Sequence, residues 1–331
     1  MPLTINSPDV QRGCRAVIES CALVQPGEVV VVVTDHDTAE IGAAMMRILF
    51  DITENAELHT ISNADIHGTE PDESIAGRML HADVILGLPR MSMAHTHARK
   101  LATEAGARYL SLADYSLEVL ARDAMTTDFQ SLTPLAEYVG EILSAADSLH
   151  LTSPAGTNMT CRVGGRQANV TPGWCAAPGT MASPPDAETN IAIIEDSSAG
   201  KLVIDGSIPC NEFGIINIPL TLFVEGGRVA EIEGDRADVL REVFDRQGTD
   251  KTRVLAEFGI GLNPKASLTG FMLEDEGCLG TVHIGIGSNA TIGGINKVPF
   301  HLDFIMRSPD IHADGKAVMQ NGVILGADSL N

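Results

Sequence analysis

Two short stretches of the chain are near copies of one another: Glu257-Phe-Gly-Ile-Gly-Leu-Asn263 and His283-Ile-Gly-Ile-Gly-Ser-Asn289. Each opens with a side chain able to ligate a metal and places glycines two and four residues on. Residues i, i+2 and i+4 of a strand share a face, so Glu257, Gly259 and Gly261 line up, as do His283, Gly285 and Gly287. Glycine weakens a strand and packs nothing, so its repeated placement here predicts that something other than protein approaches the backbone. A third stretch, Phe300-His-Leu-Asp-Phe-Ile-Met306, puts His301 and Asp303 on one face and Leu302, Phe304 and Met306 on the other. Three strands then present Glu, His, His and Asp to one cavity. A cation that performs chemistry needs a few oxygen and nitrogen ligands and an open position for water or substrate, and these four residues meet that need. With 25 residues between Glu257 and His283 and 17 between His283 and His301, a helical His-Glu-x-x-His arrangement is excluded, and the ligands must gather from separate strands.

The elements that position them follow from hydrophobic patterning. Val29 to Thr34 is a β-branched run of the kind buried on both faces of a parallel sheet, and Asp35 or Asp37 can cap the helix that follows through Phe50. Ala56 to Ser62, Asp83 to Leu88 and Arg108 to Leu112 read as strands, with helices at Pro71 to His81 and Met91 to Ala105 between them. Helices near Leu117 to Arg122 and Pro134 to Ala146 close this part. The alternation predicts an α/β domain over residues 1–147 with a parallel, Rossmann- or flavodoxin-like sheet. Residues 148–331 read as a mostly β, metal-binding domain. Gly164-Gly165 and Gly226-Gly227 look like hairpin turns there, the second joining Pro219 to Val224 with Arg228 to Ile232, and Ala237 to Arg246 is the one convincing helix. Thr171 to Asp186, with the only tryptophan, Trp174, reads as an ordered loop leading toward the site.

The first domain carries no nucleotide signature. Thr34-Asp-His-Asp37 follows its first strand, with no Gly-x-Gly-x-x-Gly and two carboxylates that repel a pyrophosphate. Against 44 Asp and Glu stand 22 Lys and Arg, and the formal charge of -22 argues against nucleic acid or an anionic membrane as partner. The six cysteines show no Cys-x-x-Cys pairing and read as reduced thiols, no apolar run reaches about 18 residues, and the N-terminus has no leader pattern. The expectation is a cytoplasmic protein. His95 and His97 are spaced i, i+2 on a predicted helix and cannot share a ligand, and no context activates a cysteine nucleophile or builds a Gly-x-Ser-x-Gly elbow.

The block Glu257-Phe-Gly-Ile-Gly-Leu-Asn-Pro264, then Gly280-Thr-Val-His-Ile-Gly-Ile-Gly287, then Gly293-Gly294 leading to His301-Leu-Asp303, resembles the C-terminal signature of the aminopeptidase T-like (thermophilic metallopeptidase) family. The resemblance runs back through Ser198 to Ile208 and Pro185 to Glu188 and covers most of residues 149–320. It implies a homodimeric metalloprotease that holds two divalent metals, with Glu188, Glu257, His283, His301 and Asp303 as ligands here. The family's tyrosine ligand does not carry over, because Ala290 stands seven residues beyond His283. A relative in the same superfamily, the 2,5-dihydroxypyridine 5,6-dioxygenases, is similar in length and in the Gly-Gly to His-Leu-Asp segment. Its single Fe(II) is held by two histidines and an aspartate; one of those histidines falls where this chain has Glu257, and the positions of Glu188 and His283 are apolar there.

On these grounds the expected activity is that of a metal-dependent hydrolase of C–N bonds, of aminopeptidase or small-molecule amidase type. One or two Zn, Co or Mn ions would polarise the scissile carbonyl and lower the pKa of bound water toward about 7, with Glu257 or Glu188 as ligand or general base. The substrate would be a small molecule or short peptide, covered by the Trp174 loop and Asn289 to Lys297. The alternative is a mononuclear Fe(II) ring-cleaving dioxygenase, since His283, His301 and Asp303 also make two histidines and a carboxylate.

Overall fold

Four consecutive valines and a threonine at Val30–Thr34 can lie only where both faces of a sheet are covered, and all five are buried. The computed structural model of the protein describes residues 2–327; the outermost ends of the two expected domains, residues 1 and 328–331, lie outside the described residues. Two units result, the first holding residues up to 131 with 173–185, the second 132–172 and the chain from 186 on.

The first unit is built on a parallel five-stranded sheet, in the order Ala56–Thr60, Val30–Thr34, Val84–Gly87, Arg108–Ser111, Met181–Ala182. The segment around Trp174, expected to be loop throughout, therefore contributes an edge strand. Val31, Val33, Ile85 and Tyr109 form a core with Ile75 and Met79 of helix Glu73–Leu80 and Ala98 and Ala102 of helix His97–Glu104. That last helix starts later than its hydrophobic pattern predicts. Thr96 accepts from the Arg99 amide and Glu70 from the amides of His97 and Ala98, so the preceding residues are held as a turn. Among the described residues no helix is long and apolar enough to cross a membrane.

The second unit holds two antiparallel sheets. The eight-stranded one runs in the order Arg228–Gly234, Leu220–Glu225, Ala199–Ile204, Asn158–Arg162, Ser148–Thr152, Asp310–Ala313, Lys316–Gln320, Val323–Ile324. Gly226-Gly227 makes the expected hairpin, but Gly164-Gly165 does not. The strands flanking it, Asn158–Arg162 and Asn169–Thr171, belong to different sheets, and the glycines mark a crossing between layers. The seven-stranded sheet runs Gly214–Ile215, Ser207–Ile208, His301–Arg307, Thr281–Gly287, Leu255–Gly261, Glu188–Ala192, Asn169–Thr171. Its central strands are buried on both faces. Phe304, on the face opposite Asp303, stacks on Phe244 of helix Ala237–Asp245 with ring centroids 6.1 Å apart. Burial of two such rings stabilises by about 3–6 kcal/mol, which leaves the other face free to be polar.

Candidate metal centre

Register assembles the site. In the antiparallel pairing Glu257 lies opposite Gly285 and Gly259 opposite His283, while Gly285 faces Asp303 and Gly287 faces His301 on the next strand. On the other side Gly261 pairs with Glu188 and Gly259 with Asn190. Directly paired residues share a face, so all five expected ligands project to one side. A register shift between Leu255 and Glu257 sets this alignment; such a bulge commonly re-aims a side chain beside a site.

The glycines have a different purpose from the one expected. A Cβ on Gly259 would fall 1.9 Å from His283 Nε2, and one on Gly285 would fall 2.7 Å from His301 Cε1 and 2.8 Å from Glu257 Cβ. Each glycine is the floor under an imidazole reaching across from the neighbouring strand. The group that approaches the backbone is the protein's own histidine.

With that floor cleared, His283 Nε2 reaches 2.9 Å from Glu188 Oε2 and 4.0 Å from Glu257 Oε1, and His301 Nε2 reaches 3.2 Å from Glu257 Oε2 and 3.3 Å from Asp303 Oδ1. Glu188, Glu257 and His283 bring three donor atoms within 4.8 Å of one another, as do Glu257, His301 and Asp303. Glu257 belongs to both sets, turning one oxygen to each. The His283 side chain is 1% exposed and that of His301 34%, so the second set is the one with an open side.

Electrostatics fits these residues to a divalent cation. Burial alone would lower both imidazole pKa values, but Glu188 and Glu257 around His283, and Asp303 and Glu257 around His301, outweigh it and hold both well above the usual histidine range. Burial opposes ionisation of Glu257 and Asp303, and the facing histidines overcome it and hold both carboxyls below their ordinary values. Two more carboxyls complete the crowd. Asp186 and Glu276 are pushed well above the carboxylate range, first by burial and then by the charges of Glu188 and Asp303 respectively. Glu188 Oε2 and Asp303 Oδ1 are buried and face no donor other than the imidazoles of His283 and His301. Buried carboxyl oxygens converging with imidazole nitrogens within 4.8 Å are what a cation with oxygen and nitrogen ligands requires.

Asp186, Asn190 and Glu276 were not anticipated. Asn190 orients Glu188, donating to its Oε1 at 2.7 Å, and is itself held by Asn169 at 2.9 Å. Its position two residues beyond Glu188 on one strand was the available signal. Asp186 and Glu276 lie outside the strands and had none. The Trp174 segment belongs to the first unit, and His95 and His97 are in neither ligand set.

The comparisons with known proteins bear on what this centre does. A family model described as NicX, 2,5-dihydroxypyridine 5,6-dioxygenase, matches residues 9–326. The 2,5-dihydroxypyridine 5,6-dioxygenase of Pseudomonas putida KT2440 is 30% identical over 249 residues, spanning 72% of this chain and 70% of the relative. Among solved structures, the fold is similar to 2,5-dihydroxypyridine dioxygenase from the same organism, with a TM-score of 0.81 at 24% identity over all of both chains. It is also similar to AmpT from Thermus thermophilus, with a TM-score of 0.70 at 13% identity over 96% of this chain and 99% of that one. The likeness to AmpT is one of fold. The family match overturns the expectation of a hydrolase, aminopeptidase or metalloprotease. Carboxylates and imidazoles serve hydrolytic and oxidative metals alike, so the ligand set that went with the resemblance to the metallopeptidases does not separate the two. With the match extending over residues 9–326, the chain belongs to the 2,5-dihydroxypyridine 5,6-dioxygenase family.

Proposed function

We propose that this protein is an Fe(II)-dependent dioxygenase that opens the ring of 2,5-dihydroxypyridine, or of a close dihydroxylated N-heterocycle, between C5 and C6. The observation that carries this reading is the family match over residues 9–326, which includes every residue of the candidate centre. Glu257, His301 and Asp303 would hold the iron, one imidazole and two carboxylates, with Glu188 and His283 forming the adjoining set that shares Glu257. Ferrous iron, when bound, supplies the one-electron chemistry by which dioxygen reacts with an electron-rich ring.

The chain's own residues do the rest. Exposure is confined to the His301 side of the ligand cluster, so substrate would enter there, away from the buried His283. Asn190 keeps Glu188 oriented, and Glu276, neutral by burial beside Asp303, holds a proton available to the opened ring. The partner is a small molecule.

The test is to load the purified protein anaerobically with Fe(II), add 2,5-dihydroxypyridine and then oxygen, and follow oxygen uptake with the ring's absorbance. One dioxygen consumed per ring lost, with none for zinc-loaded protein, is expected. An iron-loaded protein that consumes no oxygen with any dihydroxypyridine would refute the assignment.

A further inference from the structure

Both repeats end on an asparagine at the same offset, Asn263 and Asn289. Asn289 is wholly buried. Its Nδ2 donates to Glu195 Oε1 at 2.9 Å, with the carbonyls of Ile193 and Ala256 at 3.3 and 3.4 Å, and its Oδ1 accepts from the Asn296 amide at 2.9 Å. Its own amide donates to the Asn296 carbonyl at 3.1 Å, and its carbonyl accepts from the Gly294 amide at 2.8 Å. The loop between the His283 and His301 strands is thereby closed on one side chain. Glu195 extends the brace, accepting from the Ile295 amide at 2.7 Å and from Arg166 at 2.9 and 3.2 Å. Apolar packing contributes little here: Ile295 is 81% exposed, and a cavity of about 580 Å³ opens beside Arg166, Glu195 and Ile295.

The residue before Asn289 touches the centre. The Ser288 carbonyl lies 2.8 Å from His301 Nδ1. A carbonyl only accepts, so Nδ1 carries a proton, and Nε2, the atom beside Glu257 and Asp303, is the nitrogen left to meet a cation. The Ser288–Asn289 peptide that carries this carbonyl is held through the Asn289 amide, and the peptide before it is fixed from both sides, the Ser288 amide donating to the Phe300 carbonyl at 2.8 Å and Asn296 Nδ2 to the Gly287 carbonyl at 2.6 Å.

We propose that Asn289 is a positioning residue: by locking the Ser288 peptide it sets the tautomer and ring angle with which His301 meets the cation. Groups behind a ligand tune metal affinity about 10- to 100-fold. The inference rests on the metal assignment above, and its test separates the two.

Co(II) serves as the probe, its affinity read by equilibrium dialysis and its ligand field by the visible spectrum. Asn289→Ala removes the brace. Gly294→Ala leaves every polar group in place but sets a Cβ 1.9 Å from Asn289 Cγ, driving that side chain out from a half-exposed loop. Both variants are expected to bind Co(II) about 10- to 100-fold more weakly, with an altered visible spectrum and unchanged far-UV dichroism. Wild-type affinity in a folded variant would overturn the proposal, and so would weaker binding with an unchanged spectrum, the mark of a merely loosened fold. Should Asn289→Ala not fold, Gly294→Ala decides. A wild-type protein that binds no cobalt rejects the metal centre itself, whereas a binding wild type with an equally binding Gly294→Ala rejects only the positioning role.

Discussion

Asp35 in the first unit and Asp303 in the second are both buried carboxylates, and what separates them is the donors they meet. Asp35, 1% exposed, accepts through Oδ1 from the amides of Asp37 and Thr38 and the Thr38 hydroxyl at 3.1, 3.0 and 2.9 Å, and through Oδ2 from the Arg90 amide at 2.8 Å. The amides at the end of the first parallel strand, which a phosphate would need, are thus engaged by a side chain. Asp303 and Glu188 are buried too, yet each keeps an oxygen that faces only an imidazole, among further acids. A satisfied carboxylate holds the fold together. A carboxylate oxygen that meets only imidazoles among other acids is left open to what completes it, the arrangement expected of a metal site.

Substitution should therefore cost the metal at one place and spare it at the other. Asp303→Asn is expected to weaken Fe(II) binding by more than about 100-fold, beyond the cost of losing a group behind a ligand, and to abolish oxygen uptake. The chelated variant should also be less stable than chelated wild type, because the His301 imidazole loses the carboxylate that holds its charge; elemental analysis and urea titration read the two effects. Next in size, Gly259→Ala should displace His283, lowering metal content and costing about 1–3 kcal/mol through overpacking. Asp35→Ala should keep its metal, in contrast to Asp303→Asn, and lose about 2–4 kcal/mol as buried donors go unpaired. Metal loss in folded Asp35→Ala would break the comparison.

How much of this was legible depended on range along the chain. The period of two in Glu257-Phe-Gly-Ile-Gly261 and His301-Leu-Asp303, with ligand-type side chains on the polar phase, is local, and it placed four ligands on one face from sequence. The parallel sheet was legible for the same reason, in the unbroken valines of Val30 to Val33. The meaning of Gly259 and Gly285 was not, because glycine signals a close approach without saying of what, and the answer depended on pairing Gly259 with His283 past a bulge. Asp186 and Glu276 reach the centre from outside the strands, where no periodicity marks them. The turn before His97 was hidden because the acid that holds it, Glu70, comes from a distant loop. The chemistry escaped for another reason, since the same oxygens and nitrogens suit a hydrolytic and an oxidative metal.

The smallest expected effect is also the finest test of the two kinds of buried carboxylate, and it lies in the pH dependence of stability of chelated protein. Asp186 belongs to the orphaned kind: burial, then Glu188, raises its pKa above the ordinary 3.8. Its folded form holds a proton more tightly than the unfolded chain does, so its contribution is complete below about 3.8 and is lost as pH rises through the folded value. Glu195 belongs to the satisfied kind: burial opposes its ionisation, but the Ile295 amide, Asn289 and Arg166 prevail and lower its pKa below the ordinary 4.5. Its contribution is complete above about 4.5 and is lost as pH falls. Urea titrations of chelated protein between pH 4 and pH 8 should then show Asp186→Asn gaining on wild type as pH rises, and the deficit of Glu195→Gln shrinking as pH falls toward 4. If both variants altered the same limb of the profile, donors would not be what distinguishes a carboxylate that holds the fold from one kept for a cation.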